Sequence, residues 1–273
     1  MFSFGISQLP PKGVEDDEYL DGLQERGFDA LELPFVTDFP WKEERCAVFG
    51  EAAAARGIRL SVHAPYFATL TPEEPEKGAQ CLAALEHTMK LGRALGAAII
   101  VAHGGATHGE DPEVLMERIY QRLEKVAPKV EGLGLGLGLE TAGKDGAWGT
   151  LGDISLVSSR FSFVRPVVDW AHVHAVTGAG LTSSEAFGQV LGFLASHFPA
   201  WMVDPLHCQF TDNLVGEKGE VKHLPYGEGT LRVGPLVEAA RAAGMGLVII
   251  SEAREDASHD AIAAEIKATQ SDV

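Results

Sequence analysis

The chain has little cysteine. Cys46, Cys81 and Cys208 are its only three, and they are widely spaced. Without a CxxC pair there is no thiolate zinc knuckle, and an odd, scattered set makes no disulfide framework, so a reducing compartment is expected. Long apolar runs are also missing. None approaches the roughly 20 residues of a membrane helix, and Met1–Pro10 lacks the basic start and apolar stretch of a signal peptide. A cytoplasmic monomer with no membrane partner is the expectation. Basic charge is scarce too: 22 Lys and Arg stand against 39 Asp and Glu, a formal net charge of −17. This argues against tight nonspecific DNA binding through a broad basic surface. No glycine-rich nucleotide fingerprint follows the first strand, which disfavours a doubly wound sheet. No linker or break in composition divides residues 1–273, and one domain is expected.

What is present is alternation. Short β-rich runs fall at Phe2–Ser7, Ala30–Phe35, Arg59–His63, Ala98–His103, Leu135–Glu140, Val164–Asp169, Met202–Cys208 and Gly246–Glu252. Helical patterns fall at Asp16–Arg26, Lys42–Arg56, Glu76–Leu95, Pro112–Glu131, Leu151–Ser159, Ser183–His197, Val233–Ala243 and Ser258–Thr269. Eight strand–helix units over 273 residues predict a single (β/α)8 barrel of the α/β class. Gly132–Gly138 alternates Gly with Leu, a pattern that suits a strand packed closely inside such a barrel.

The strand ends carry the chemistry. Strands three to six end in His63, His103, Glu140 and Asp169; strand seven carries His207 near its expected end, and strand eight ends in Glu252. One such residue is unremarkable, but six in succession converge on one mouth of a closed barrel. His172 follows Asp169 by three residues, His174 lies just beyond, and His223 lies in the long loop after strand seven. Imidazole and carboxylate without thiolate suit zinc, manganese or iron. His87, His108, His197 and His259 fall on helices or loop flanks and carry no expected role.

The motifs resemble those of endonuclease IV, the zinc-dependent apurinic/apyrimidinic endonuclease, within the broader xylose isomerase-like barrel superfamily. The segments are Ser61-Val62-His63-Ala64-Pro65-Tyr66, Leu95-Gly96-Ala97 leading to His103-Gly104-Gly105, Leu139-Glu140-Thr141-Ala142-Gly143, Val168-Asp169-Trp170-Ala171-His172, His223 with Gly227-Glu228-Gly229, and Ser251-Glu252. The resemblance implies two or three zinc ions, with manganese an alternative. One would be held by His63, His103 and Glu140, and a second by Glu140, Asp169, His207 and Glu252. A third would use His172 and His223. The family has an aspartate two residues before its loop histidine where this chain has Val221, and Glu220 is the first candidate to replace it. The family also has an aspartate three after its strand-seven histidine; here that position is Phe210, with Asp212 following.

By the same resemblance, Glu140 and Glu252 are catalytic, Glu252 serving beside the attacking water. Tyr66 and Lys42 would contact substrate, and His174 is placed with them. The implied activity is hydrolysis of the DNA backbone at abasic sites. The alternative is a divalent-metal-dependent sugar isomerase or epimerase of the same superfamily, in which Glu140, Asp169, His207 and Glu252 hold one ion and the two glutamates move protons on a ketose.

Overall fold

A computed structural model describes residues 2–130 and 134–271. Eight parallel strands close into a barrel: β1 (Phe2–Ser7), β2 (Ala30–Pro34), β3 (Arg59–His63), β4 (Ile99–His103), β5 (Gly136–Glu140), β6 (Val164–Asp169), β7 (Leu206–Phe210) and β8 (Leu247–Ser251). Each strand pairs with its neighbours in sequence, and β8 closes on β1 through registers such as Phe4↔Ile249. The expected (β/α)8 architecture is therefore present. Seven of the eight strands start and end within one residue of the expected positions.

Strand parity decides what faces where. Successive side chains on a strand point to opposite sides. Leu31, Leu33, Val62, Ile100, Ala102, Leu137 and Leu139 turn outward under the helices and are buried there. The alternate residues fill the barrel: Ile99, Val101 and Val167 form one group, and Ala30, Val248 and Ile250 another. Gly138 belongs to this inner set; a β-carbon there would press on Val167 and Ile99. The glycine–leucine alternation is thus an inner glycine face and an outer leucine face. Gly132 and Leu133 of that run, and Glu131 at the expected end of the fourth helix, lie outside the described residues.

Strand seven departs from expectation. Ala200–Val203 is a helical turn, and β7 begins only at Leu206, directly after Pro205. His207 is therefore the second residue of its strand instead of one near the end. Three further elements crowd the barrel's C-terminal mouth. A short helix, Trp170–Val176, follows β6 directly. Gly105–Ala106 pairs with Ala147–Trp148, and Asp212–Gly216 pairs with Gly219–Leu224. Among the described residues no helix is long and apolar enough to cross a membrane.

Candidate metal centre

The inner face of each strand ends at the mouth, and the polar residues sit there. Glu140 is central and 2% exposed. His63 Nε2 lies 3.1 Å from Glu140 Oε2, and His103 Nδ1 lies 3.5 Å from the same oxygen. His172 Nδ1 lies 3.1 Å from Glu140 Oε1 and 3.5 Å from Asp169 Oδ2. Two interlocking donor groups result, His63–His103–Glu140 and Glu140–Asp169–His172, with donor atoms in each within 4.8 Å of one another. Glu140 is common to both.

The imidazoles are oriented from behind. His63 Nδ1 donates to Ala64 O at 2.8 Å, His172 Nδ1 to Thr141 O at 2.8 Å, and His223 Nδ1 to Glu252 O at 3.3 Å. A carbonyl oxygen only accepts, so each of these nitrogens carries the proton, and each Nε2 turns toward a carboxylate. A backbone carbonyl behind an imidazole is the usual device for fixing the tautomer of a metal-binding histidine.

The hairpin Asp212–Gly216/Gly219–Leu224 brings the remaining groups. His223 Nε2 lies 3.5 Å from Glu220 Oε1, and His172 Nε2 lies 3.9 Å from that oxygen. Residues three apart on a regular strand face opposite ways. Here the register slips: Leu214 faces Lys222 while Val215 faces Glu220, which leaves Val221 as the extra residue of a bulge. The bulge shifts the alternation by one and puts Glu220 and His223 on one face. Val221 itself is 57% exposed. Glu220 therefore occupies the place for which Val221 is unsuited. Asp212 folds the loop that follows, accepting from the backbone N–H of Gly227, Gly229 and Leu231 and from Arg232 Nη1.

Several expected site residues lie elsewhere. His207 shares its parity with the mouth residues but sits one step deeper in the barrel, its Nε2 3.1 Å from Glu32 Oε2. The mouth position of β7 belongs to Gln209, which pairs in register with Asp169. Sequence reasoning passed over Gln209 because it started the strand four residues too early and ended it two residues too early, at Cys208. His174 is fully buried. Its Nδ1 accepts from Leu181 N–H and its Nε2 donates to Thr230 Oγ1, so both ring nitrogens are spent inside the protein. Lys42 is exposed at the start of helix Glu43–Ala55 and takes no part in the wall of the mouth. Tyr66 does: its ring stacks on His103 with centroids 5.4 Å apart and stays 59% exposed. The cavity, about 1070 Å³, is also walled by Phe67, Lys77, His108, Lys144 and Trp148.

Electrostatics follow from this crowding. Burial works against the Glu140 carboxylate, but His103, His172 and His63 hold it well below the usual carboxylate range. Burial also works against charged His63, yet the Glu140 hydrogen bond and the charges of Glu140, Glu32 and Glu252 raise it to about 10. His103 is pushed down to about 4 by burial, which the attraction of Glu140 does not offset. Glu252 is pushed up to about 8 by burial and by the charges of Asp169 and Glu140. Glu220 falls to about 2, because His223 and His172 outweigh its burial. Without a cation, protons do the balancing in this mouth.

An uncharacterised protein of Methanocaldococcus jannaschii is 24% identical over 243 residues, covering 88% of both chains. A D-tagatose 3-epimerase-like protein superposes with a TM-score of 0.75 at 16% identity, covering 98% of this chain and 97% of its own. Endonuclease IV from Thermus thermophilus superposes with a TM-score of 0.72 at 16% identity, covering 99% of this chain and all of its own. At such identities these likenesses speak for the fold alone, and they include both nuclease and epimerase. The family described as xylose isomerase-like TIM barrel matches residues 20–271, and this chain belongs to it.

Proposed function

We propose that the chain is a divalent-cation-dependent phosphodiesterase that cleaves the DNA backbone at abasic sites. One observation carries the reading. Three imidazoles, those of His63, His172 and His223, are each tied through Nδ1 to a backbone carbonyl and present Nε2 to Glu140 or Glu220 in one mouth. The donor set fits bound cations: among the described residues, buried Asp169 Oδ2 and Gln209 Oε1 have no hydrogen-bond partner, and both lack what a cation would provide. His63, His103 and Glu140 would hold one ion. Asp169 and Glu252, with Glu140 bridging, would hold a second, and His172, His223 and Glu220 a third. Zinc suits the imidazole-rich positions. Bound ions would supply an acidified water and neutralise charge on the phosphate.

The chain's own residues do the rest. Glu140, kept ionised by the histidines around it, fixes neighbouring donor groups against each other. Glu252 lies where burial and like charge leave its carboxyl at about 8, close enough to neutrality to exchange a proton with a bound water. Tyr66 offers an exposed ring face over His103 against which a sugar or base can stack. Lys77 and Lys144 on the cavity wall meet backbone phosphates. With a net charge of −17, phosphate contacts are few, so binding should weaken only gently with salt.

A second reading, epimerisation of a ketose, is favoured by one observation. Glu140, buried, and Glu252, half-buried, are two carboxyls in the same mouth with opposite proton affinities, as two-base proton exchange requires. The test pairs an abasic-site duplex with a panel of ketoses, using protein loaded with zinc or manganese. Strand cleavage 5′ of the abasic site is the expected result. Ketose epimerisation without cleavage under both metals transfers the assignment to the second reading.

A further inference from the structure

Gln209 is fully buried on the inner face of β7 and level with Asp169. Its Nε2 donates to Glu32 Oε1 and to Glu252 Oε1, each at 3.0 Å. Glu32, held below the usual carboxylate range, is ionised and only accepts, so it fixes the amide: the NH2 group must face it and the carbonyl must face away. That carbonyl, Oε1, has no hydrogen-bond partner among the described residues. Asp169 shows the same pattern. Its Oδ1 accepts from His172 N–H at 3.0 Å, while its buried Oδ2 has no hydrogen-bond partner among the described residues, His172 Nδ1 standing 3.5 Å away. An unpaired buried acceptor costs stability, and a cation held between these paired residues of adjacent strands would satisfy both.

The histidines do not compete for this position. His172 spends Nδ1 on Thr141 O and turns Nε2 toward Glu220. His207 spends Nε2 on Glu32, below the mouth. The donors left to a cation beside β6, β7 and β8 are a carboxylate of Asp169, the amide oxygen of Gln209 and a carboxylate of Glu252, all oxygen.

We propose that Gln209 is a metal ligand through Oε1, and that the oxygen-only set it forms with Asp169 and Glu252 selects a harder ion, Mn2+ or Mg2+, beside a zinc-selecting His63–His103–Glu140 set. Carboxylate and carbonyl oxygen suit manganese and magnesium, whereas imidazole suits zinc. The centre is then mixed, with two kinds of ion in one mouth. The inference rests on the phosphodiesterase reading only in requiring that the mouth binds cations.

The experiment uses the full chain, stripped by chelation and then supplied with Zn2+ and Mn2+ together. Bound metal per chain is measured by elemental analysis, and Mn2+ affinity by electron paramagnetic resonance of the free ion. Wild type should hold both metals. Gln209→Met, of similar length but without the amide oxygen, should lose Mn2+ affinity by about tenfold or more with its zinc content unchanged. Gln209→His should move the Zn2+-over-Mn2+ preference at this position toward zinc by a similar factor. Unchanged Mn2+ affinity in folded Gln209→Met overturns the inference alone. Should that variant not fold, an unchanged metal preference in Gln209→His overturns it. A wild-type chain that takes up neither metal removes both the inference and the metal-dependent reading of the site.

Discussion

His63, His103, Glu140 and Asp169 reach the mouth from the last residues of four barrel strands, whereas Glu220 and His223 reach it from a hairpin outside the barrel. The strand-end set inherits its placement from the fold: once the barrel closes, parity and register leave those side chains nowhere else to point. The hairpin set depends on one local irregularity, the bulge at Val221. The first kind of placement resists change in the surrounding sequence. The second can be gained or lost by a single residue, and Val221 in this hairpin is one of the positions where the chain departs from the endonuclease IV pattern.

Glu140→Gln gives the largest expected effect, because Glu140 is common to both strand-end donor groups. An amide bridges two cations poorly. The variant should fold, lose cation from both groups, and lose at least about 10³-fold in activity, beyond the roughly 10–100-fold typical of residues that only orient a ligand. Elemental analysis with a cleavage assay checks this. Full metal content at the wild-type rate would remove Glu140 from the centre.

Glu220→Ala tests the hairpin by itself. It should lower affinity for the ion beside His172 and His223 by about 10–100-fold and leave the other positions occupied. Val221→Asp should change nothing there, since the bulge turns residue 221 toward solvent. Deleting Val221 should also preserve the ion: it removes the bulge and leaves Glu220 and His223 two apart on a regular strand, on one face. Anomalous scattering at the zinc edge reads all three variants. Occupancy gained in Val221→Asp would mean that the register slip is not what orients Glu220.

The carboxylates also differ in protonation. Glu252, up at about 8, carries a proton at neutral pH, and so does His63, up at about 10; Glu220, down at about 2, carries none. A cation must displace the protons of Glu252 and His63. The metal-bound state then holds fewer protons, and affinity rises with pH, by about tenfold per unit for each proton released. The rise should run through about pH 8 and persist toward about pH 10. Calorimetry in buffers of different ionisation enthalpy counts the protons, and Glu252→Gln should remove about one from the count. Affinity independent of pH between about 6 and 8 would contradict the placement of these groups.

How far the sequence could be read follows the same division. The (β/α)8 architecture, seven strand positions and the convergence of His63, His103, Glu140, Asp169 and His172 were legible, because strand alternation and helix caps are local signals. The mouth position of β7 was legible in principle. A proline is commoner at the start of a strand than within it, so Pro205 favoured a strand beginning after itself, although β6 carries Pro166 inside. Leu206, Cys208 and Phe210 then face outward, and His207 and Gln209 inward. Reading Met202 and Val203 as strand overrode that rule and promoted His207. Lys42 and His174 failed for another reason. Lys42 was assigned through the endonuclease IV resemblance and His174 through nearness in sequence to Asp169 and His172, and loop and helix geometry carried one to the surface and the other into the core. The bulge at Val221 had no sequence signature, since it is visible only in the pairing of two strands.

His207→Leu should have the smallest effect on the centre, and it separates the two inward residues of β7. His207 meets Glu32, not the mouth groups. Its loss removes one partner from a carboxylate that is fully buried, while Ser61 Oγ, at 2.9 Å, and Gln209 Nε2 still donate to it. The cost should appear as stability, about 1–3 kcal/mol for an under-satisfied buried acceptor. The hydrogen bond from His207 helps hold Glu32 below the usual carboxylate range despite burial. In the variant the Glu32 pKa should rise toward its unfolded value, so the metal-free variant, less stable at neutral pH, should lose less further stability than wild type as the medium is acidified. Urea unfolding of chelated protein across about pH 4–8 measures both effects, and elemental analysis of the reloaded variant should return the wild-type metal content. A folded His207→Leu that has lost an ion would put residue 207 in the mouth and overturn the parity argument for Gln209.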